Sequence, residues 1–342
     1  MRRYLYGFMT IVMMIILGGC GKTKPVSLGK IVLSTDGTKA YIADYNLQGV
    51  RVVDIHDPTH PVLLGSAGGR IDNALSHINI TLSPDGKHVF VSGYNSMLFG
   101  WGGLETFDVE DSSAPKLLGT YLPKNRTGYK YPMAVSADGK TLFASQTDGN
   151  LTFIDVTDMA KPTTRKELDE SVYGACILHP DGARVYCGKY IVELDATEHV
   201  VRNDSLYSDE ARRFSSDGSK MFGVSYVDFL AHMGYAQSYD MTDTDAPTLT
   251  GKYDEANATY SDLAVSPDDT ILYVTDKAGM HIFEVNATGG IAHKGLEAYD
   301  LAKGVALSAD GNTAYVACSG KEGLVILDVR DPANIKKLGS YK

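Results

Sequence analysis

The sequence predicts an all-β protein, a seven-bladed β-propeller of four-stranded antiparallel blades, on three observations. Seven apolar runs stop at a Ser-x-Asp-Gly-like turn and resume as another alternating apolar run, at residues 34–37, 83–86, 136–139, 179–182, 215–218, 266–269 and 308–311. The turn aspartates recur at spacings of 36 to 53 residues, a spread that loop variation around one four-strand unit explains. The composition is globular, 44% hydrophobic and 22% charged, and its 35 glycines favour turns over helices. Four short strands cannot bury both faces alone, so neighbouring units must stack and close into a ring. The 342 residues would suit two domains by length, but the repeats occupy residues 30–342 and make them one domain.

Residues 1–19 read as a lipoprotein signal peptide, and 20–29 as a lipidated cysteine with a short linker. Arg2 and Arg3 form a basic flank, and the apolar run from Met9 to Leu17 is too short to remain as a membrane span. Leu17-Gly18-Gly19-Cys20 resembles the bacterial lipobox, which implies cleavage before Cys20 and a lipid on its thiol. The alternative is an ordinary signal peptide with an incidental cysteine. Gly21, in place of Asp, implies the outer membrane of the cell envelope and leaves the displayed face, periplasmic or surface, open. The formal charge is −10 and no run of Lys or Arg interrupts it, which argues against nucleic acid as a partner.

An export compartment can oxidise thiols. Cys176 and Cys187 lie on the two arms of the hairpin around Pro180-Asp181-Gly182. A bridge between them requires one register, because a slip of one residue puts the two Cβ atoms on opposite faces. Buried free thiols are the alternative, and Cys318 is left over either way.

The seventh unit shows how each blade is written. Gly304 to Ser308 is a short buried strand, Ala309-Asp310-Gly311 a tight turn, and Thr313 to Ala317 the second strand. Leu324 to Val329 is a β-branched third strand, Asp331-Pro332-Ala333-Asn334 the next turn, and Lys337 to Tyr341 the outer strand. The last blade thus owns all four strands, and closure by packing of blade faces is expected.

The third strands end in Asp54, Asp108, Asp155, Asp195, Asp240 and Asp328, with Glu284 in the sixth blade. Three residues on stand Asp57, Asp111, Asp158, Asp243 and Asp331. Turn capping explains each, whereas a calcium loop would need denser alternating ligands and its glycine. Val50 to Pro58 followed by Pro61-Val62-Leu63-Leu64-Gly65 resembles the LVIVD-repeat family of bacterial exported propellers. The phrase recurs at 324–332 with Lys337-Leu338-Gly339, and at 106–111 with residues 115–119. Blades one, two and seven match well, three and five in part, four and six poorly. YVTN-type and WD-repeat propellers share the Asp-Gly hairpin, so the resemblance implies a fold more firmly than a function.

In such a propeller the loops entering the innermost strands usually form the binding face. The candidates there are His77, Tyr131, Tyr173, Arg212, Arg213, Tyr260, Asp262 and Lys303. Aromatic and charged groups converging on an axial funnel suit a polar ligand with flat faces, a glycan or peptide; a solvated rim with a few packed tyrosines is the alternative. Two loops on the same face are rich in aromatic residues: 94–102, with Tyr94, Phe99 and the sole tryptophan Trp101, and 226–235, with Phe229, His232 and Tyr235. Loops of this composition need burial, against each other, the channel mouth or a partner.

The leading reading is therefore a binding or scaffold module for an envelope protein, peptide or glycan, without cofactor or metal. The nine histidines are scattered, and no His-x-x-x-His, Glu-x-x-His or Gly-x-Ser-x-Gly pattern marks a metal or nucleophile site. No catalytic residue is assigned. The alternative is a lactonase-like hydrolase acting on a small ester or lactone in the funnel, with Asp262 and Asn79 near its inner strands.

Overall fold

The computed structural model describes residues 26–71, 77–95, 101–124, 127–195, 198–206, 209–227 and 233–342. Cys20 and the residues read as a signal peptide lie outside them. The described residues form seven four-stranded antiparallel sheets, each of four consecutive strands ordered from the axis outwards. The innermost strands are Leu28–Leu33, His77–Leu82, Ala134–Val135, Cys176–Leu178, Ala211–Phe214, Asp262–Val265 and Ala302–Leu307. Middle strands such as Lys39–Asp44 and Leu324–Asp328 are nearly all buried, whereas outer strands such as Thr163–Asp169 are half exposed. This is what stacking leaves: the middle of each sheet is covered on both faces and the rim only in part.

Seven hydrophobic clusters fill the seven gaps between blades. Leu28, Ile31, Ala40 and Ile42 of the first blade pack on Tyr315, Ala317, Leu324 and Ile326 of the seventh. Arg51 Nη1 donates to Tyr341 Oη at 2.9 Å across the same seam. Gly304 lets the seventh blade approach so closely that a Cβ there would stand 2.8 Å from the Gly29 carbonyl oxygen. The ring therefore closes by face packing, and the last blade keeps its four strands.

Each Asp-Gly turn is a small hydrogen-bonded device. In the first, Ser34 Oγ donates to Asp36 Oδ1 at 2.5 Å, the same oxygen accepts the Thr38 amide at 3.0 Å, and the Lys39 amide donates to Ser34 Oγ at 2.9 Å. The Ser-to-Asp bond recurs in five other blades. The fourth substitutes His179, whose Nδ1 lies 2.9 Å from Asp181 Oδ1. The turn glycines take φ of 68° to 74°, and Asp269, which replaces glycine in the sixth blade, takes 59°. These bonds, led by the one from Ser34, hold the Asp36 carboxyl down at about 2.

The carboxylates after the third strands cap turns as well. Asp54 accepts the His56 amide and Asp57 the Thr59 amide, both at 2.9 Å, and the same pairs recur at Asp108, Asp111, Asp155, Asp158, Asp240, Asp243, Asp328 and Asp331. Two blades depart from the expected strand ends. In the fourth the strand stops at Glu193, two residues before Asp195, and in the sixth it runs one past Glu284 to Val285.

Cys176 and Cys187 are directly opposed partners in the fourth blade, and a disulfide joins them. The register that the bridge needs is the one the hairpin adopts. Cys318 is a buried free thiol, pushed up to about 12 by burial.

Candidate functional site in the axial channel

The inner strands enclose a channel with two chambers. The larger, about 580 Å³, lies towards the Asp-Gly turns and is bounded there by Pro84 and Ala137. Its walls are mostly aliphatic, with Ile31, Ile80, Met133 and Ile177 among them, and Arg212, Arg213 and Asp262 supply charge. The smaller, about 240 Å³, lies at the opposite mouth and is lined by Lys30, Lys130, Lys303, Glu210, Tyr226 and Tyr260 among others. Lys30 and Asn79 border both chambers and so mark the waist.

Asp262, the first residue of its inner strand and 1% exposed, organises the waist. Its Oδ1 accepts the Leu263 amide at 3.0 Å and Arg213 Nη2 at 3.2 Å, and its Oδ2 accepts the Val305 amide at 3.3 Å. Lys30 Nζ stands 3.7 Å from Oδ1 and donates to the Ser261 carbonyl oxygen. Burial pulls the Lys30 ammonium down to about 8, against the attraction of Asp262. It is therefore mostly charged at neutral pH and loses its proton as pH rises through about 8. In the fifth blade Arg212 Nε donates to Asp209 Oδ2 at 2.7 Å, with both side chains fully buried. Burial nonetheless raises the Asp209 carboxyl to about 6, against the pull of Arg212.

At the mouth, Lys130 Nζ pairs with Glu210 Oε1 at 2.6 Å and sits over the rings of Tyr131, at 4.9 Å, and Tyr226, at 5.4 Å. Burial works against this ammonium, but Glu210, Tyr131 and Tyr226 together outweigh it and the pKa is raised. The Lys130 carbonyl oxygen accepts Asn79 Nδ2 at 2.9 Å, which ties the second and third blades. Lys303 is lowered, chiefly by burial. Three ammonium groups and one carboxylate thus line a small chamber in a chain of net charge −10.

The residues expected at the binding face divide. Tyr260, Asp262, Lys303, Arg212 and Arg213 line one chamber or the other, and Tyr131 lies under Lys130. Tyr173 does not reach the channel: it is 41% exposed and its hydroxyl donates to the Asp148 carbonyl oxygen at 3.3 Å, packing against Gly149. Arg212 borders the turn-side chamber and not the mouth, with its guanidinium bound to the buried Asp209. His77 begins its inner strand opposite Tyr94, and Trp101 begins the third strand of the second blade opposite Asn95. The side chains of His77 and Trp101, and all of Phe99, Phe229 and His232, lie outside the described residues. Tyr235 sits in a third strand under Lys252 Nζ, 4.0 Å from its ring, and away from both chambers.

Lys30, Tyr45, Lys130 and Glu210 also line the mouth chamber and were not among the expected residues, whereas Asn79, named for the hydrolase alternative, borders both chambers. Lys130 and Glu210 adjoin the expected Tyr131 and Arg212. Lys30 stands one position further along its inner strand than Lys303: it matches Gly304 of the seventh blade, and Lys303 matches Gly29 of the first.

No curated protein matches the chain. Solved structures share the fold. The periplasmic gluconolactonase of Pseudomonas aeruginosa is 16% identical over 93% of this chain and 96% of its own, with a TM-score of 0.65. A chain of the mitotic checkpoint complex is 18% identical over 89% and 91%, with a TM-score of 0.64. Hydrazine synthase of Kuenenia stuttgartiensis is 20% identical over 76% and 79%, with a TM-score of 0.58. At these identities the likeness is one of fold alone. The LVIVD repeat model matches residues 33–67 and 302–342, which are the first and last blades and not the second. The chain is a seven-bladed β-propeller that carries LVIVD repeats at the seam where its ring closes.

Proposed function

We propose that this chain is a lipid-anchored, extracytoplasmic binding module that captures an acidic group of a glycan or peptide in the mouth chamber. The observation that carries the reading is the convergence of Lys30, Lys130 and Lys303 on a cavity of about 240 Å³ with Tyr226 and Tyr260 in its wall. That volume suits a group the size of one sugar ring, below the range of about 300–1,000 Å³ usual for whole ligands. A charged, half-closed site in an acidic protein concentrates anions that the rest of the surface repels. Tyr226, the first residue of the aromatic stretch 226–235, lies in the chamber wall.

Calorimetric titration with glucuronate, and with glucose as the neutral control, tests the reading. Saturable heat is expected for the acid alone and is lost in K130M/K303M; equal response to both sugars, or none to either, rejects it. Anchoring has its own test, since the mature chain should begin at Cys20 with the mass of a lipid added. An unmodified Cys20 rejects that part.

A second reading, lactone hydrolysis, is favoured by Lys30. An amine held near 8 beside Asp262 becomes free to accept a proton from an attacking water as pH rises through about 8. The fold likeness to a gluconolactonase is consistent with it. Proton release from gluconolactone should then rise with pH through about 8 and vanish in K30M. Ring opening no faster than in buffer rejects this reading.

A further inference from the structure

Between the fifth and sixth blades, away from the chambers, three side chains from three strands converge. Glu255 lies near the end of the fifth blade's outer strand Thr248–Ala256. His281 lies in the sixth blade's third strand Gly279–Val285, and His293 in its outer strand Ile291–Ala298. His281 Nδ1 stands 3.3 Å from His293 Nε2 and 3.8 Å from Glu255 Oε2. One ligand atom from each of the three residues lies within 4.8 Å of the other two. Two nitrogens each about 2.0–2.1 Å from a tetrahedral zinc are roughly 3.3 Å apart, so the histidine pair is already at ligand spacing.

The surroundings orient these donors. His281 is 3% exposed, and its other nitrogen, Nε2, lies 3.2 Å from Asp276 Oδ1, a charge contact rather than an aligned hydrogen bond. A carboxylate there favours the tautomer with the proton on Nε2 and leaves the Nδ1 lone pair facing His293 and Glu255. Tyr260 donates to Glu255 Oε2 at 2.5 Å and stands edge-on to the His281 ring. Tyr253 stacks on His293, and Phe283 packs against both imidazoles. Each ligand thus has a partner that restrains it, and a carboxylate stands behind the buried one.

We propose that Glu255, His281 and His293 form a binding site for a divalent transition metal of the zinc type. Two imidazoles and a carboxylate are a donor set that zinc takes with a fourth position left to solvent. Glu255 and His293 are half exposed, so an ion can enter. Because the ligands come from both blades, the ion would clamp one interblade seam and stabilise the folded ring by mass action.

The test is titration of the chelator-treated, purified mature chain with Zn²⁺ by calorimetry and with Co²⁺ by visible absorption. One ion per chain is expected, with the intense d–d bands of low-coordinate cobalt and a Zn²⁺-dependent rise in melting temperature. E255Q and H293Q, both at half-exposed positions, should each weaken binding about tenfold or more and remove that rise. Their metal-free melting temperatures should match the parent, which separates loss of ligand from loss of fold. H60Q, at an exposed histidine, should bind as the parent does. Absence of binding by the parent chain, or binding undiminished in E255Q/H293Q, would overturn the proposal.

Discussion

The turn-side chamber is walled by inner strands and the mouth chamber mostly by residues outside them, and the two use charge differently. On the turn side, Arg212 is closed on Asp209, and Asp262 is held by two backbone amides and Arg213, so the charges are consumed by the fold. At the mouth, Lys130 is paired with Glu210 and Lys30 stands near Asp262, while Lys303 faces the cavity without an ion pair among the described residues. A buried charge that meets its partner inside the protein is a structural element; one that faces a cavity is available to a ligand.

The sharpest way to break this contrast is R212M. It leaves Asp209 buried without its partner and should cost about 3–5 kcal/mol in urea unfolding. A variant as stable as the parent would show that the turn-side charges are not structural. The Cys176–Cys187 bridge borders the same chamber and closes a separation of 11 residues, so C176S/C187S should lose about 2–3 kcal/mol by the same measurement. Unchanged stability would place the cohesion of the fourth blade elsewhere.

K303M should reverse the pattern. It is expected to lower glucuronate affinity about tenfold, which is about 1.4 kcal/mol, while unfolding free energy stays within about 0.5 kcal/mol. A loss of stability without a loss of affinity would erase the distinction between the chambers. The smallest effect is on pH. An anion prefers Lys30 protonated, so affinity should be full below about 8 and decline as pH rises through it, by a few-fold. In K30M that decline should disappear, and its persistence would assign the titration to another group.

Much of the fold was legible because its signals are local. Ser34, Asp36 and Gly37 lie within four residues, and their turn follows from a hydroxyl, a carboxylate and a residue free to take positive φ. The cysteine pair was legible for the same reason, since a hairpin places both partners and only its register remained open. The site was legible in part. The rule that picked residues at the start of inner strands found Tyr260, Asp262 and Lys303, but it also picked Tyr173, which a carbonyl on the rim holds outward. Position along a strand does not say which way a long side chain turns.

The sequence by itself determined the seven repeats, the antiparallel hairpins, the turn chemistry and the acidic balance, because each rests on neighbours in the chain. Only the tertiary structure decided which charges meet. Lys30 reaches Asp262 across 232 positions of sequence, Lys130 reaches Glu210 across 80, and His281 meets His293 and Glu255 from separate strands. Ring closure creates the first two pairs by bringing distant blades to one axis, and stacking of the fifth blade on the sixth brings Glu255 to the histidines. The energies of ion pairs and metal ligands depend on separations of a few ångströms, which local patterning leaves open.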